Sequence, residues 1–151
     1  MPISVLIVDD HTIFRESVRS MLETTTNFHI VGEAANGLEA LVQTERYHPN
    51  VVILDYMMPD MNGMDVTWWL CKRRQDTRVI ILSMYDDESY VLNALQNGAS
   101  GYVLKEDIVN HLEQAITTAA AGQFYFSPCL REHIPFLDLV NLTPHNLSEP
   151  Q

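Results

Sequence analysis

Short runs of β-branched and aliphatic residues, among them "ISVLIV", "VVIL", "VIIL" and "GYVL", recur along the chain with helical patterns between them, and this alternation limits the fold more than any other feature. Such runs bounded by turn residues read as strands. Five candidates follow: Ile3 to Val8, His29 to Ala34, Val51 to Leu54, Val79 to Leu82 and Gly101 to Leu104. After each, apolar residues return at helical spacing: Phe14, Val18, Met21 and Leu22; Leu38, Leu41 and Val42; Val66, Trp69 and Leu70; Val91, Ala94 and Leu95; Ile108, Leu112, Ala115 and Ile116. Strand and helix in strict alternation predict an α/β fold of five βα units, a five-stranded parallel sheet doubly wound by helices. Asn36-Gly37 and Asn62-Gly63 enter helices, Asn97-Gly98 leaves one and Gly122 closes the last. Trp68 and Trp69 are neighbours on the third helix, so at about 100 degrees per residue only one of them is expected to point into the core.

The 151 residues suffice for one domain with a sizeable core and a short appendage. The expected division is one domain over residues 1–123 and a tail or linker over 124–151 in which Pro135 interrupts a roughly helical spacing of Leu130, Ile134, Leu137 and Val140. No window approaches eighteen consecutive apolar residues and the N-terminus carries no signal-type stretch, so a soluble, cytoplasmic protein without a membrane partner is expected. Cys71 and Cys129 form no CxxC pair and suggest neither zinc nor a disulfide framework. A net charge of −11 repels a phosphate backbone, which excludes DNA binding by this chain alone.

In an open parallel sheet, functional groups collect just past the carboxyl ends of the strands. Here the first strand delivers Asp9 and Asp10, the third Asp55, the fourth Ser83 and the fifth Lys105. With those four strands side by side the residues converge on one pocket. Carboxylates about 5 Å apart repel by roughly 3 kcal/mol per pair at an effective dielectric near 20. One lysine cannot offset three of them. A hard divalent cation on oxygen ligands can, and magnesium is favoured because it accepts few carboxylates and keeps waters. Each residue alone has a structural reading: an N-cap for Asp9 or Asp10, a turn for Asp55, a backbone-bonded hydroxyl for Ser83, a solvated charge for Lys105. Their joint placement at strand ends argues against five coincidences.

The stretches "VLIVDDHTIF", "VVILDYMMPDMNGMD", "VIILSMYDDE" and "GASGYVLK" resemble the receiver domain of two-component response regulators, the CheY-like (flavodoxin-like) fold, over residues 3 to about 122. The resemblance implies that Asp55 accepts a phosphoryl group from a sensor histidine kinase. Asp9, Asp10, Asp55 and the backbone carbonyl of Met57 would then hold Mg2+, Ser83 and Lys105 would contact the phosphoryl oxygens, and Tyr102 would turn inward from a more exposed position on activation. It implies a self-catalysed gain and loss of phosphate rather than turnover as an enzyme; a phosphorylation-dependent homodimer is expected, either on a surface made by the fourth helix, fifth strand and fifth helix or through the first and fifth helices. "GYVLK" and "GQFYFSP" are similar to the NarL/FixJ subgroup, whose members bind DNA through an appended helix-turn-helix to control transcription; that domain is missing from this chain. Three departures stand out. Glu106 occupies a position where many receivers have proline, Met84 stands where smaller residues are common and could narrow access to Asp55, and "LTPHNLSEPQ" begins like the entry to the DNA-binding domain but carries His145 and Asn146. A piece of a longer regulator and a single-domain regulator both fit.

Two other classes remain open on the residues alone. A phosphate-independent interaction module would keep the fold without the chemistry. An aspartyl-nucleophile, magnesium-dependent phosphohydrolase would share Asp55, but such enzymes carry a second acid two residues on, where this chain has Met57. A flavodoxin-like nucleotide binder fits poorly, because Asp9 and Asp10 stand where a phosphate loop would be. Among the histidines only His11 lies near the pocket, and it is expected to be solvated.

Overall fold

The computed structural model describes residues 2–59, 61–74 and 76–142. Strand and helix alternate as β1 (Ile3–Val8), α1 (Thr12–Leu22), β2 (Phe28–Ala34), α2 (Gly37–Tyr47), β3 (Val51–Asp55), α3 (Gly63–Arg73), β4 (Arg78–Ser83), α4 (Glu88–Gln96), β5 (Gly101–Leu104) and α5 (Ile108–Ala120). A short strand β6 (Tyr125–Phe126), a helix α6 (Pro128–His133) and a 3₁₀ segment (Pro135–Leu142) follow. All strands pair in parallel in the order β2-β1-β3-β4-β5-β6, so the sheet has six strands rather than the expected five. The addition is small: Tyr125 and Phe126 pair with Gly101 and Tyr102 of β5.

Because side chains alternate across a strand, each central strand feeds two cores. Val5, Ile7, Val51, Ile53, Ile80, Leu82 and Val103 face α1 and α5, where Val18, Leu22, Leu112, Ala115 and Ile116 meet them. Leu6, Val8, Val52, Leu54, Val79, Ile81 and Leu104 face the other side, against Ala40 of α2, Met64, Val66 and Leu70 of α3, and Val91, Ala94 and Leu95 of α4. Turn chemistry places the helix ends as the sequence suggests. The Asn36 side chain accepts from the Glu39 amide at 2.9 Å, satisfying one orphan donor of α2, while Glu39 reaches back to accept from the Ala35 amide at 3.0 Å just ahead of the helix. Asn62 caps α3 by accepting from the Met64 amide at 2.7 Å. Beyond α4 and α5 the chain turns through Gly98 (φ 106°) and Gly122 (φ 90°), conformations open to glycine.

Two helix faces differ from the sequence expectation. In α2 the buried residues are Gly37, Ala40 and Thr44, while Leu38 and Val42 are 65% and 57% exposed. Small residues bring α2 close to its neighbours; a Cβ at Gly37 would lie 2.7 Å from Met61 Sδ. In α3 neither tryptophan enters the core, each being 44% exposed. Val66, Thr67 and Leu70 take the buried face, leaving the indoles edge to face at 5.8 Å, with Trp69 on a groove of about 430 Å³ shared with Leu41, Val42 and Leu70.

The segment after Gln123 packs on the α2–α4 side of the sheet, where Phe124, Phe126, Leu130, Ile134, Leu137 and Val140 are buried. The Ser127 amide donates to the Tyr102 carbonyl at 3.1 Å, and Ser127 Oγ accepts from the Leu104 amide at 2.9 Å. Helix α6 ends at His133, and the chain continues from Pro135 as a 3₁₀ segment. Of "LTPHNLSEPQ", the part from Thr143 lies outside the described residues. No helix among the described residues is long and apolar enough to cross a membrane.

Candidate functional site

The strand order sets β1, β3, β4 and β5 side by side, so the residues at their carboxyl ends share one edge. Asp9 and Asp10 leave β1, Asp55 and Ser83 end β3 and β4, and Lys105 follows β5. Asp9 is 1% exposed and Asp55 4%. Lys105 Nζ lies 3.3 Å from Asp55 Oδ1 and 3.6 Å from Asp9 Oδ2, the one ammonium among three carboxylates. The ammonium also lies over the Phe14 ring, 4.6 Å from its centroid, a cation–π contact. Burial, then the Asp9 carboxylate, pushes the Asp55 pKa up to about 6, with Lys105 pulling it back. Asp55 is therefore mostly ionised at neutral pH, at an electrostatic cost.

Two buried carboxylate oxygens, Asp9 Oδ2 and Asp10 Oδ1, accept no hydrogen bond. Buried acceptors of this kind are normally satisfied. Oxygen-rich, part-orphaned and anionic, the pocket has the donor set that a hard divalent cation requires, and the residues present fit magnesium. The Met57 amide donates to Asp55 Oδ1 at 3.4 Å and its side chain is exposed, which directs the backbone rather than the thioether toward the pocket.

Ser83 and Tyr102 meet at one loop residue. Buried Ser83 Oγ accepts from the Tyr85 amide at 2.9 Å, and the Tyr102 hydroxyl donates to the Tyr85 carbonyl at 2.7 Å. The sequence leads one to expect an exposed Tyr102 ring in the resting protein; here it is 1% exposed. The hydroxyl bond and an edge contact with Tyr56 at 6.3 Å hold it inside. Burial raises the phenol pKa, so it stays a donor. Met84, beside Ser83, points to solvent, and Glu106 sits in a 3₁₀ turn (Lys105–Asp107), with every peptide bond among the described residues trans.

Sequence reasoning passed over several residues that shape this pocket. Gly63 starts α3 so close to β3 that a Cβ there would lie 2.7 Å from both the Asp55 and Tyr56 carbonyl oxygens. The Asn-Gly pair signalled a turn but not this contact. Arg15, paired with Glu33 at 3.2 Å, donates to the Asp9 carbonyl and fixes the backbone at the acidic pair. His11, expected to be solvated, is 68% exposed, yet its Nδ1 lies 3.1 Å from Asp9 Oδ1.

Residues 5–117 match the response regulator receiver domain family. The chain belongs to that family. As a receiver it is 38% identical over 149 residues to the transcriptional regulatory protein DegU of Brevibacillus brevis, covering 97% of this chain but 63% of that protein, so it spans less than two thirds of the relative's length. It is similar in structure to a LuxR-family two-component response regulator from Aurantimonas sp. SI85-9A1 (TM-score 0.86, 30% identity, 92% of this chain and 99% of that one). It also resembles the signal receiver domain of the putative response regulator NarL from Mycobacterium tuberculosis (TM-score 0.77, 35% identity, 81% of this chain and 98% of that one). These relatives are NarL- and LuxR-type two-component response regulators.

Proposed function

We propose that this receiver accepts a phosphoryl group on Asp55 from a sensor histidine kinase and passes the change to a dimer surface that controls transcription. The observation that carries this reading is the buried Asp55 carboxylate, 3.3 Å from Lys105, in a pocket with two orphaned carboxylate oxygens. Asp9, Asp10, Asp55 and the Met57 carbonyl would hold magnesium, which when bound supplies positive charge to the phosphoryl oxygens. One Asp55 oxygen forms the new bond to phosphorus as the donor's bond breaks and its electron pair leaves with the donor. Lys105 steadies the developing charge from a fixed position, and the chain needs no general base because the nucleophile is already ionised.

The acyl phosphate then offers anionic oxygens to the Ser83 hydroxyl and the Lys105 ammonium. Drawing Ser83 toward Asp55 withdraws its oxygen from the Tyr85 amide, and because the Tyr102 hydroxyl holds the same residue, the loop leading into α4 shifts with it. The output surface is the face of α4, β5 and α5, on which β6 covers the outer edge of β5, and a second copy docks over it. Residues 1–123 are the phosphoacceptor unit and 124–151 a tail or linker, and any contact with DNA is made through a separate domain.

Incubation with acetyl phosphate and magnesium should add a single phosphate by intact mass, absent in Asp55→Asn and lost with chelator. Undiminished labelling of Asp55→Asn would remove the assignment. Absence of any adduct would favour a phosphate-independent interaction module, and continuous release of phosphate from small esters a phosphohydrolase.

A further inference from the structure

The residue after the acidic pair has a role that the oxygen ligands leave open. His11 precedes the first turn of α1, a position where Asp, Asn or Ser would cap the helix, yet its side chain makes no capping bond. The ring turns instead to the carboxylates: Nδ1 lies 3.1 Å from Asp9 Oδ1 and 3.3 Å from Asp10 Oδ1. Its backbone is anchored by the His11 amide, which donates to Asp9 Oδ1 at 2.8 Å, so only side-chain torsions separate the ring from a ligating pose. Donor atoms of Asp9, Asp10, His11 and Asp55 all fall within 4.8 Å of one another.

Those separations have the scale of a coordination polyhedron. Around an octahedral ion with bonds of about 2.1 Å, neighbouring ligand atoms sit about 3.0 Å apart and opposite ones about 4.2 Å. The imidazole nitrogen is thus about one polyhedron edge from two carboxylates. One of them, Asp10 Oδ1, is buried without a hydrogen-bond donor. Without a cation the 3.1 Å contact is a hydrogen bond in which Nδ1–H donates to Asp9 Oδ1; moving the ring proton to Nε2 exposes the Nδ1 lone pair to a cation placed between them. Magnesium gains little from a nitrogen donor, whereas first-row transition ions gain much from imidazole.

We propose that His11 is a nitrogen ligand to the cation held by Asp9, Asp10 and Asp55, and that it biases this site toward divalent transition ions such as Mn2+ and Co2+ over Mg2+. The inference rests on the metal site of the proposed function and adds to it a residue that sets metal preference. A receiver so equipped can be charged with manganese where magnesium competes. If His11 instead serves only as a hydrogen-bond donor to Asp9, its loss leaves metal preference untouched.

The test is calorimetric titration of the full chain with MgCl2 and with CoCl2, for the native protein, His11→Phe, His11→Gln and Asp10→Ala. Electron spin-echo spectroscopy of the Mn2+ complex reports any directly bound nitrogen. Expected results are a fall in Co2+ affinity that exceeds the fall in Mg2+ affinity by about tenfold or more for both His11 variants, and a nitrogen modulation present in the native protein and lost on removing His11. Asp10→Ala should weaken both ions, which separates this site from the other histidines. Co2+ and Mg2+ binding that depends on Asp10 but not on His11, with no nitrogen signal, overturns the role of His11 and leaves the carboxylate site standing. A native chain that binds neither ion overturns both.

Discussion

Replacing Asp55 by asparagine removes the group on which the proposed chemistry depends, and it should make the metal-free protein more stable. Burial and the Asp9 charge lift the Asp55 pKa from 3.8 to about 6, and a rise of that size corresponds to about 3 kcal/mol of unfavourable free energy when the group is ionised. That net figure already includes the attraction to Lys105, 3.3 Å away, and part of it is lost to relaxation around the new amide, so a gain of about 1 to 3 kcal/mol is expected at pH 8. For a chain of this length that is a rise in melting temperature of about 3 to 9 °C. The sign follows from proton linkage. Since the folded value lies above the unfolded one, the folded protein binds the extra proton between pH 4 and 6, and native stability falls as pH rises through that window. Asp55→Asn has no such slope. Melting curves in chelator from pH 4.5 to 8 should therefore show a gap that is small at acid pH and reaches its plateau above about pH 7. Saturating magnesium should close it, because cation binding stabilises the native carboxylate set by mass action. A variant less stable than native at pH 8, or a gap independent of pH, would refute the electrostatic account of the pocket.

Gly63→Ala should destabilise the protein by about 2 kcal/mol or more and slow labelling of Asp55 by acetyl phosphate, since the atoms 2.7 Å from the new Cβ are backbone oxygens that cannot swing away; equal labelling rates would show that α3 can shift without disturbing the nucleophile. Ser127→Ala leaves the buried Leu104 amide without its acceptor and should cost about 1 to 3 kcal/mol by denaturant titration; no loss would mean that the segment after Gln123 does not stabilise β5. Sedimentation with and without beryllofluoride and magnesium should show self-association of the native chain that Ser83→Ala and Tyr102→Ala weaken; three proteins associating identically in both conditions would dismiss the proposed switch.

The parts of this molecule that were legible in the sequence are those whose information is local. Five strands announced themselves as apolar runs, and all five occur with ends within one residue of the expected ones. The acidic pair, Asp55, Ser83 and Lys105 could be grouped because each sits at a strand end, so the sheet order converts one-dimensional position into proximity. Helix faces were less legible, since apolar content identifies a core face only when the helix stands far enough from the sheet to admit large side chains. Helix α2 does not: Gly37, Ala40 and Thr44 face inward and Leu38 and Val42 outward, because close approach selected for size over hydropathy. Strand β6 was hidden for a different reason, two residues being too few to show a period. The same distinction separates the site residues that were foreseen from those that were not. Gly63 matters through backbone 2.7 Å away on another element, Tyr85 through two hydrogen bonds to separate strands, and His11 through a ring torsion that turns an exposed side chain back on its neighbours. None of these is encoded in residue type and spacing alone. Sequence therefore locates the charges of such a pocket, while the geometry around them, Gly63 against the Asp55 backbone and the His11 ring against two carboxylates, belongs to loops that only the folded chain brings together.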